Sequence, residues 1–446
     1  MNLYFEDFIL DTEVPISAFL KLQNSDFTPL YLLESVEGGE KWGRYSFLGL
    51  GPPIATVRYF IEADSKRDPF AEIKEILDGM KESVNSIGSF RFFLGLVGYL
   101  SYDTFSIIEP VVNTFKGKDG IGVPDIYLVL SGNMIVFDNV RKTVSIICTD
   151  KANIKEIKKI LNTPRFLEGI KEQKTLRLED RVGEKEYLNY VIDGKKRIFR
   201  GDVIQVVLSR RLDLYGHFDP FSAYRMLRVI NPSPYMYFLN FDEIKIVGTS
   251  PEMLVRYEGG KVETRPIAGT RRRGRNQEED NLLEKELLSD PKELSEHLML
   301  VDLARNDLGR VCKIGTVRVP RYSYIERYSS VMHITSDVEG ITDESCSDVF
   351  KACFPAGTVV GAPKIEAAKI ISETEALRRG PYAGAVGYFS FDSMDMAILI
   401  RTILFLQDKA YVQAGAGIVA DSVPEYEFKE TQHKIKTMLE VLGSNL

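Results

Sequence analysis

Residues 291–305, "PKELSEHLMLVDLAR", place apolar side chains at the three- and four-residue spacing of an amphipathic helix. The same spacing predicts helices over 69–84, 184–201, 279–289, 345–353, 363–375 and 424–442. Other runs are alternating or wholly apolar and predict strands. "IYLVLSGNMIVFDNVRKTVSIICTD" (126–150) reads as strands broken by turns at "SGN" and "DNVRK". "DVIQVVLSRRLDLY", "YMYFLNF", "KIVGTS", "MLVRYEGGKVETRP", "GAVGYFSF", "MAILIRTILFL" and "AYVQAGAGIVA" read the same way. Hairpin-rich strands with helices gathered between them predict an α+β fold of antiparallel sheets covered by helices. The polar, weakly patterned run 162–183 reads as a connection between a first part, 1–165, and a second, 180–446.

Composition narrows the class. Of 446 residues, 44% are hydrophobic and 11% aromatic, which predicts packed cores and not disorder. A net charge of −7 gives no bulk attraction to nucleic acid or to an anionic membrane. The start, "MNLYFEDFIL", lacks the basic and apolar regions of a secretion signal, and no apolar run is long enough to span a bilayer. Four cysteines, Cys148, Cys312, Cys346 and Cys353, show no CxxC spacing, so reduced, structurally buried thiols in a cytoplasmic protein are expected.

Two helices repeat one acidic spacing. Asp290 and Pro291 read as an N-cap and first helical residue. Glu293 and Glu296 follow, with Glu296 on the face of Leu300 and Leu303. A carboxylate on a core-facing stripe is costly unless positive charge meets it. In 424–442, Glu427 and Glu430 repeat the spacing, and Lys434 shares their face. Singly, these read as a capping box at Glu293 and an i,i+4 pair at Glu430 and Lys434. Jointly, two such helices facing each other could hold a hard dication such as Mg²⁺, one glutamate per helix binding directly and the other through water.

Several other stretches invite chemistry. "FPAGTVVGAPK" (354–364) does not fit phosphate-loop spacing and reads as a tight turn before a helix, still a natural anion site. In "QAGAGIVAD", Gly415 and Gly417 could let backbone N–H groups approach a carboxylate, or could mark a bulge. In "RPIAGTRRRGR", Arg272, Arg273 and Arg275 read as a solvated loop. His333, alone in a strand-like run, reads on its own as a packed core residue.

Together these stretches resemble the chorismate-utilising enzymes, and within them the anthranilate synthase large subunits. The likeness is carried by "GDVIQVVLSRR", "NPSPYMYF", "GTSPEMLV", "RPIAGTRRRG", "ELSEHLMLVDLARNDLGRV", "FPAGTVVGAPK", "GPYAGAVGY", "IRT" and "AGAGIVADSVPEYEFKET", and it spans nearly the whole chain. It implies a sandwich of large antiparallel sheets. It also implies that Glu296 and Glu430 bind Mg²⁺ directly and Glu293 and Glu427 through water, the ion gripping the ring carboxylate of chorismate. Tyr382, Arg401 and the backbone of Gly415, Ala416 and Gly417 would form a second carboxylate clamp, with Gly269, Thr270 and Thr358 lining the pocket. Glu252 would be the general acid, His333 would serve the later elimination, and Lys434 would lie near the metal-bound carboxylate.

Two positions separate the branches. Isochorismate and salicylate synthases carry a water-activating lysine where Gln205 stands. Aminodeoxychorismate synthases usually carry a nucleophilic lysine where Ala268 stands. The resemblance therefore implies an anthranilate-forming lyase. Aminodeoxychorismate synthase and 2-amino-2-deoxyisochorismate synthase are the alternatives within the family, and a non-catalytic sensor the alternative outside it. No cysteine sits in a glutaminase setting, so a separate glutamine amidotransferase subunit is implied as ammonia source. "LLESVEGGEKWGRYSFLG" (32–49) and "NPSPYM" (231–236) match the family's tryptophan feedback site, through Glu34, Ser35, Pro234, Tyr235 and Met236.

Overall fold

The computed structural model describes residues 2–35, 43–85, 94–112, 120–164, 168–328 and 331–444. Residues 36–42 of the expected tryptophan segment lie outside this range. A long ribbon, Tyr45–Tyr59 against Ile126–Asp138, passes through two sheets. Its register shifts around Pro53, where the missing N–H cannot serve the ladder. One sheet runs from Tyr4–Ile9 through Thr143–Cys148, the ribbon, Pro29–Glu34, Tyr235–Phe241, Ile244–Ser250, Thr402–Leu406, Lys409–Ile418 and Gln205–His217 to Lys174–Asp180. The other leaves the ribbon at Gly95–Leu100 and continues through Ala385–Ser390, Ser393–Ile398, Met253–Glu258 and Lys261–Thr264 to Val331–Ile341. Val331–Ile341 in turn pairs with Ile267–Arg272 and Arg318–Arg327. Every pairing among the described strands is antiparallel, and strands of the two sequence parts join edge to edge in both sheets, Pro29–Glu34 to Tyr235–Phe241 in one and Gly95–Leu100 to Ala385–Ser390 in the other.

Tyr31, Tyr99, Tyr127, Tyr237, Leu239, Leu399 and Leu404 pack between the sheets. The outer face of the first sheet is covered by Pro15–Leu22, Lys151–Asn162, Pro220–Ile230 and Pro424–Val441, through Phe19, Ile157, Tyr224 and Ile435. Pro69–Asn85, Pro291–Gly309, Cys346–Cys353 and Lys364–Thr374 supply Ile73, Val301, Phe350 and Ile371 to the other helical layer. The expected α+β architecture of covered antiparallel sheets is thus observed. No described helix is long and apolar enough to cross a membrane.

Three local expectations are corrected and one helix is added. "SGN" is not a turn: Ile126–Asp138 runs through it, and the Ser131 hydroxyl accepts the Leu50 N–H at 3.0 Å, meeting a backbone need at the bend. The connection 162–183 contains the strand Lys174–Asp180. "MAILIRTILFL" is two strands, Ser393–Ile398 and Thr402–Leu406, parted where Arg401 takes φ of 53°. Pro220–Ile230, which was not read from the sequence, is a helix with Asp219 capping it through the Ser222 N–H at 2.8 Å.

Candidate active site

The two acidic helices face each other. Asp290 caps Pro291–Gly309 by accepting the N–H groups of Lys292 and Glu293. Glu293 makes no capping box; its carboxylate accepts from Arg271 at 3.0 Å, and Arg271 also reaches Asp290 and Glu286, each at 3.1 Å. On Pro424–Val441, Lys434 meets Glu430 at 2.6 Å and donates to the Gly415 carbonyl at 2.9 Å. Burial and the charges of Glu293 and Glu430 push the Glu296 carboxyl up, against the pull of Lys292 and Lys434. Burial and Glu430 do the same to Glu427, opposed by Ser422, Lys292 and Lys434. Four carboxylates from two elements are therefore close enough to repel. Hard oxygen donors, partial burial and mutual repulsion fit a dication, which would relieve each upward push. Among the described residues no three His, Cys, Asp or Glu side chains stand as a ready-made cage.

The neighbouring wall is made by Lys409–Ile418 on Gln205–His217, with Gly415, Ala416 and Gly417 opposite Ser209, Leu208 and Val207. A Cβ on Gly415 would come within 2.7 Å of the Leu208 carbonyl and 2.9 Å of the Tyr382 hydroxyl. On Gly417 it would meet Gln205 Nε2 at 2.4 Å. Glycine is needed here for close approach of other groups. Arg401 donates to the Lys434 carbonyl at 2.6 Å and interacts with Tyr382 and Glu430. Burial pushes the Tyr382 hydroxyl up to about 12, so it stays protonated.

Burial perturbs two further titratable groups, Glu252 and His333. Burial pushes the Glu252 carboxyl up to about 7, tempered by the Thr358 hydroxyl beside it and by Lys434. His333 Nδ1 lies 2.9 Å from the Gly269 carbonyl and 3.1 Å from the Thr270 hydroxyl. A carbonyl only accepts, so Nδ1 carries the proton and Nε2 keeps its lone pair. Burial holds the ring neutral by pushing its pKa down. The Gly269 carbonyl is turned toward His333 by a bulge between Ala268 and Thr270, where Gly269 has φ of 59°. The His333 ring is thus held in place from one side by the neighbouring strand Ile267–Arg272.

Glu34, Ser35, Pro234, Tyr235 and Met236 do not join this cleft. They line a second cavity with Phe47, Arg256, Tyr388 and Asp395. Within it, Tyr235 donates to Asp395 at 2.9 Å and Arg256 to the same carboxylate at 2.7 Å. The Glu34 carboxylate is already engaged by Tyr224 at 2.6 Å and Arg228 at 3.2 Å. Met236 packs into the helix-covered core beneath.

Residues 31–440 match the family model described as chorismate binding enzyme. The chain belongs to this family. Among relatives of this chorismate-binding enzyme is "Anthranilate synthase component 1" of Aquifex aeolicus, 48% identical over 98% of this chain and 94% of that protein. The protein of the same name from Acetivibrio thermocellus is 43% identical over 97% and 93%. The crystal structure of anthranilate synthase component I from Streptococcus pneumoniae superposes with a TM-score of 0.80 at 34% identity, covering 97% of this chain and 98% of that one. The menaquinone-specific isochorismate synthase MenF of Escherichia coli, at 19% identity and a TM-score of 0.76, shares the fold.

Some neighbours of these candidate site residues were not read from the sequence. Arg271, which holds Glu293, lay within the quoted "RPIAGTRRRG" but carried no signal separating it from its basic neighbours. Of those neighbours, Arg272 and Arg275 are exposed as expected, but Arg273 is half-buried. It clasps buried Asp280 at 2.7 Å and helps push that carboxyl down to about 2. Cys148, Cys346 and Cys353 are buried as expected, whereas Cys312 is only half-buried.

Proposed function

We propose that this chain is the chorismate-using component of an anthranilate synthase. It forms anthranilate and pyruvate from chorismate and ammonia, the first committed step toward tryptophan. The reading is supported by two side chains whose protonation suits an acid and a base. Glu252 retains its proton up to about pH 7, and His333 presents an unprotonated Nε2. Ammonia attacks ring carbon 2, and the carbon-4 hydroxyl leaves as water on taking the Glu252 proton. The His333 Nε2 then accepts the carbon-2 proton, the enolpyruvyl C–O bond breaks, and pyruvate departs with a proton gained at its methylene carbon. Arg401 suits a two-pronged grip on the enolpyruvyl carboxylate, and the N–H groups near Gly415, Ala416 and Gly417 add donors. Gly269, Thr270, Thr358 and Tyr382 shape the pocket.

Glu296 and Glu430 would hold Mg²⁺ directly, and Glu293 and Glu427 through water. When bound, the ion supplies the charge that grips the ring carboxylate. Gln205 offers no base for water activation, and Ala268 no nucleophile for a covalent intermediate. These two residues favour the anthranilate branch over its siblings. A glutamine amidotransferase subunit supplies the ammonia, because none of Cys148, Cys312, Cys346 and Cys353 sits in the glycine-flanked setting of a glutaminase nucleophile, and burial pushes all four thiols up. The second cavity takes tryptophan as feedback inhibitor, and the reaction runs in the cytoplasm.

The purified chain, given chorismate and Mg²⁺, should consume chorismate with ammonium and not with glutamine, and gain glutamine use when the amidotransferase subunit is added. Glutamine-dependent turnover by the chain alone would overturn the partner, and inertness with ammonium would overturn the reading.

A further inference from the structure

The segment "FPAGTVVGAPK" carries Thr358 past Glu252, and two buried ion pairs unused by the chemistry above hold it, Lys364 with Asp307 at its last residue and, from outside it, Arg379 with Glu375, which reaches its middle. At one end, Lys364 donates to Asp307 at 2.8 Å and to the Cys353 carbonyl at 3.1 Å. Beside the middle of the segment, Arg379 donates to the two oxygens of Glu375 at 2.9 and 2.6 Å. It also donates to the Val359 carbonyl at 2.8 Å and the Val207 carbonyl at 2.6 Å. Glu375 in turn accepts the Ser209 N–H at 2.7 Å and hydroxyl at 2.9 Å.

These bonds join two pieces of the cleft. Val359 follows Thr358 in the short turn Gly357–Val359. Val207 lies opposite Gly417, on the strand that begins at Gln205. Residues 360–362 hold themselves to that strand: Val207 N–H meets Val360 at 2.8 Å and Ile204 N–H meets Ala362 at 2.7 Å. Gly361, with φ of 129°, lies so close that a Cβ would sit 2.1 Å from the Gln205 carbonyl. Thr358 has no such anchor. Its buried hydroxyl makes no well-aligned hydrogen bond, so its place is set through the backbone. A buried ion pair is seldom retained for net stability, since its desolvation offsets most of the attraction. A planar guanidinium reaching several backbone segments at fixed angles does, however, define their spacing.

We infer that Arg379, oriented by Glu375, is a positioning residue that fixes Thr358 beside the general acid and ties it to the strand bearing Gln205. The inference rests on Glu252 acting as the acid on chorismate. Lysine at 379 keeps the charge but cannot reach Glu375, Val207 and Val359 together.

The test is a double-mutant cycle on chorismate consumption with ammonium and Mg²⁺, using Arg379→Lys, Thr358→Ala and the pair. Each single change should lower kcat on the order of 10²-fold, the effect of a small misplacement at a reacting centre. The pair should be no slower than the slower single variant, because both act through one contact. A fully active Arg379→Lys, or losses that multiply in the pair, would overturn the inference. Glu375→Gln, which keeps an acceptor for Ser209 while removing the charge, repeats the cycle if Arg379→Lys does not fold. A wild type that leaves chorismate untouched would instead count against the proposed function itself.

Discussion

Glu252 belongs to a common residue type, and its surroundings make it an acid at neutral pH. Its folded pKa of about 7 lies above its ordinary 4.5, so the folded state holds a proton that the unfolded chain has released. The stability this contributes is present below pH 4.5 and lost as pH rises to about 7. Glu252→Gln should therefore unfold at a higher temperature than wild type at pH 8, while losing on the order of 10²–10⁴-fold in turnover. Calorimetry and rate measurements check both halves, and equal melting temperatures would count against the buried carboxylate. With free ammonia held constant, the wild-type rate should fall as pH rises through about 7, since the protonated form is needed. The motif "TSPEMLV" made Glu252 visible in the sequence. Its perturbation was not visible, because it comes from burial, which the tertiary fold creates, and the groups that temper it, Thr358 and Lys434, are distant along the chain. His333 taught the opposite lesson: its strand-like setting pointed to the core, and only the Gly269 bulge gives it a fixed tautomer.

At the scale of elements, the repeated Glu-x-x-Glu spacing was legible because helical periodicity fixes which side chains share a face. What one helix cannot reveal is its partner; the facing of Pro291–Gly309 and Pro424–Val441 is set by the sheets beneath. Replacing Glu296 or Glu430 with Gln should abolish Mg²⁺-dependent turnover and leave the fold intact. Mg²⁺ should raise the melting temperature of the wild type, and Glu296→Gln should lose that response. Undiminished activity in both variants, or in excess chelator, would remove the metal site. The elements misread from sequence share a cause. "SGN" and "IRT" are polar interruptions whose outcome depends on neighbours: Ser131 satisfies the backbone and lets the strand continue, whereas Arg401 in a left-handed conformation ends one.

Over the whole molecule, the two-sheet sandwich links the cavity around Ser35 to the cleft. Met253–Glu258, which carries Arg256, begins next to Glu252, and Ser393–Ile398, which carries Asp395, ends shortly before Arg401. Tryptophan in that cavity should weaken chorismate binding or ammonia delivery through these strands, and any effect on chorismate affinity must be reciprocal at equilibrium. Ser35→Arg should relieve inhibition with little loss of uninhibited rate. Identical inhibition curves would take Ser35 out of the site, and a wild type insensitive to tryptophan would end the feedback proposal. The layered architecture was readable because hairpins and amphipathic helices are local patterns. The passage of one ribbon through both sheets was not, since it depends on a bend at Pro53 and pairings far apart in sequence. The central claim is tested most directly by the product formed from chorismate, ammonium and Mg²⁺, identified by fluorescence and mass. The account predicts anthranilate and equimolar pyruvate. A para-amino product, an amino product that retains the enolpyruvyl group, or isochorismate would contradict it.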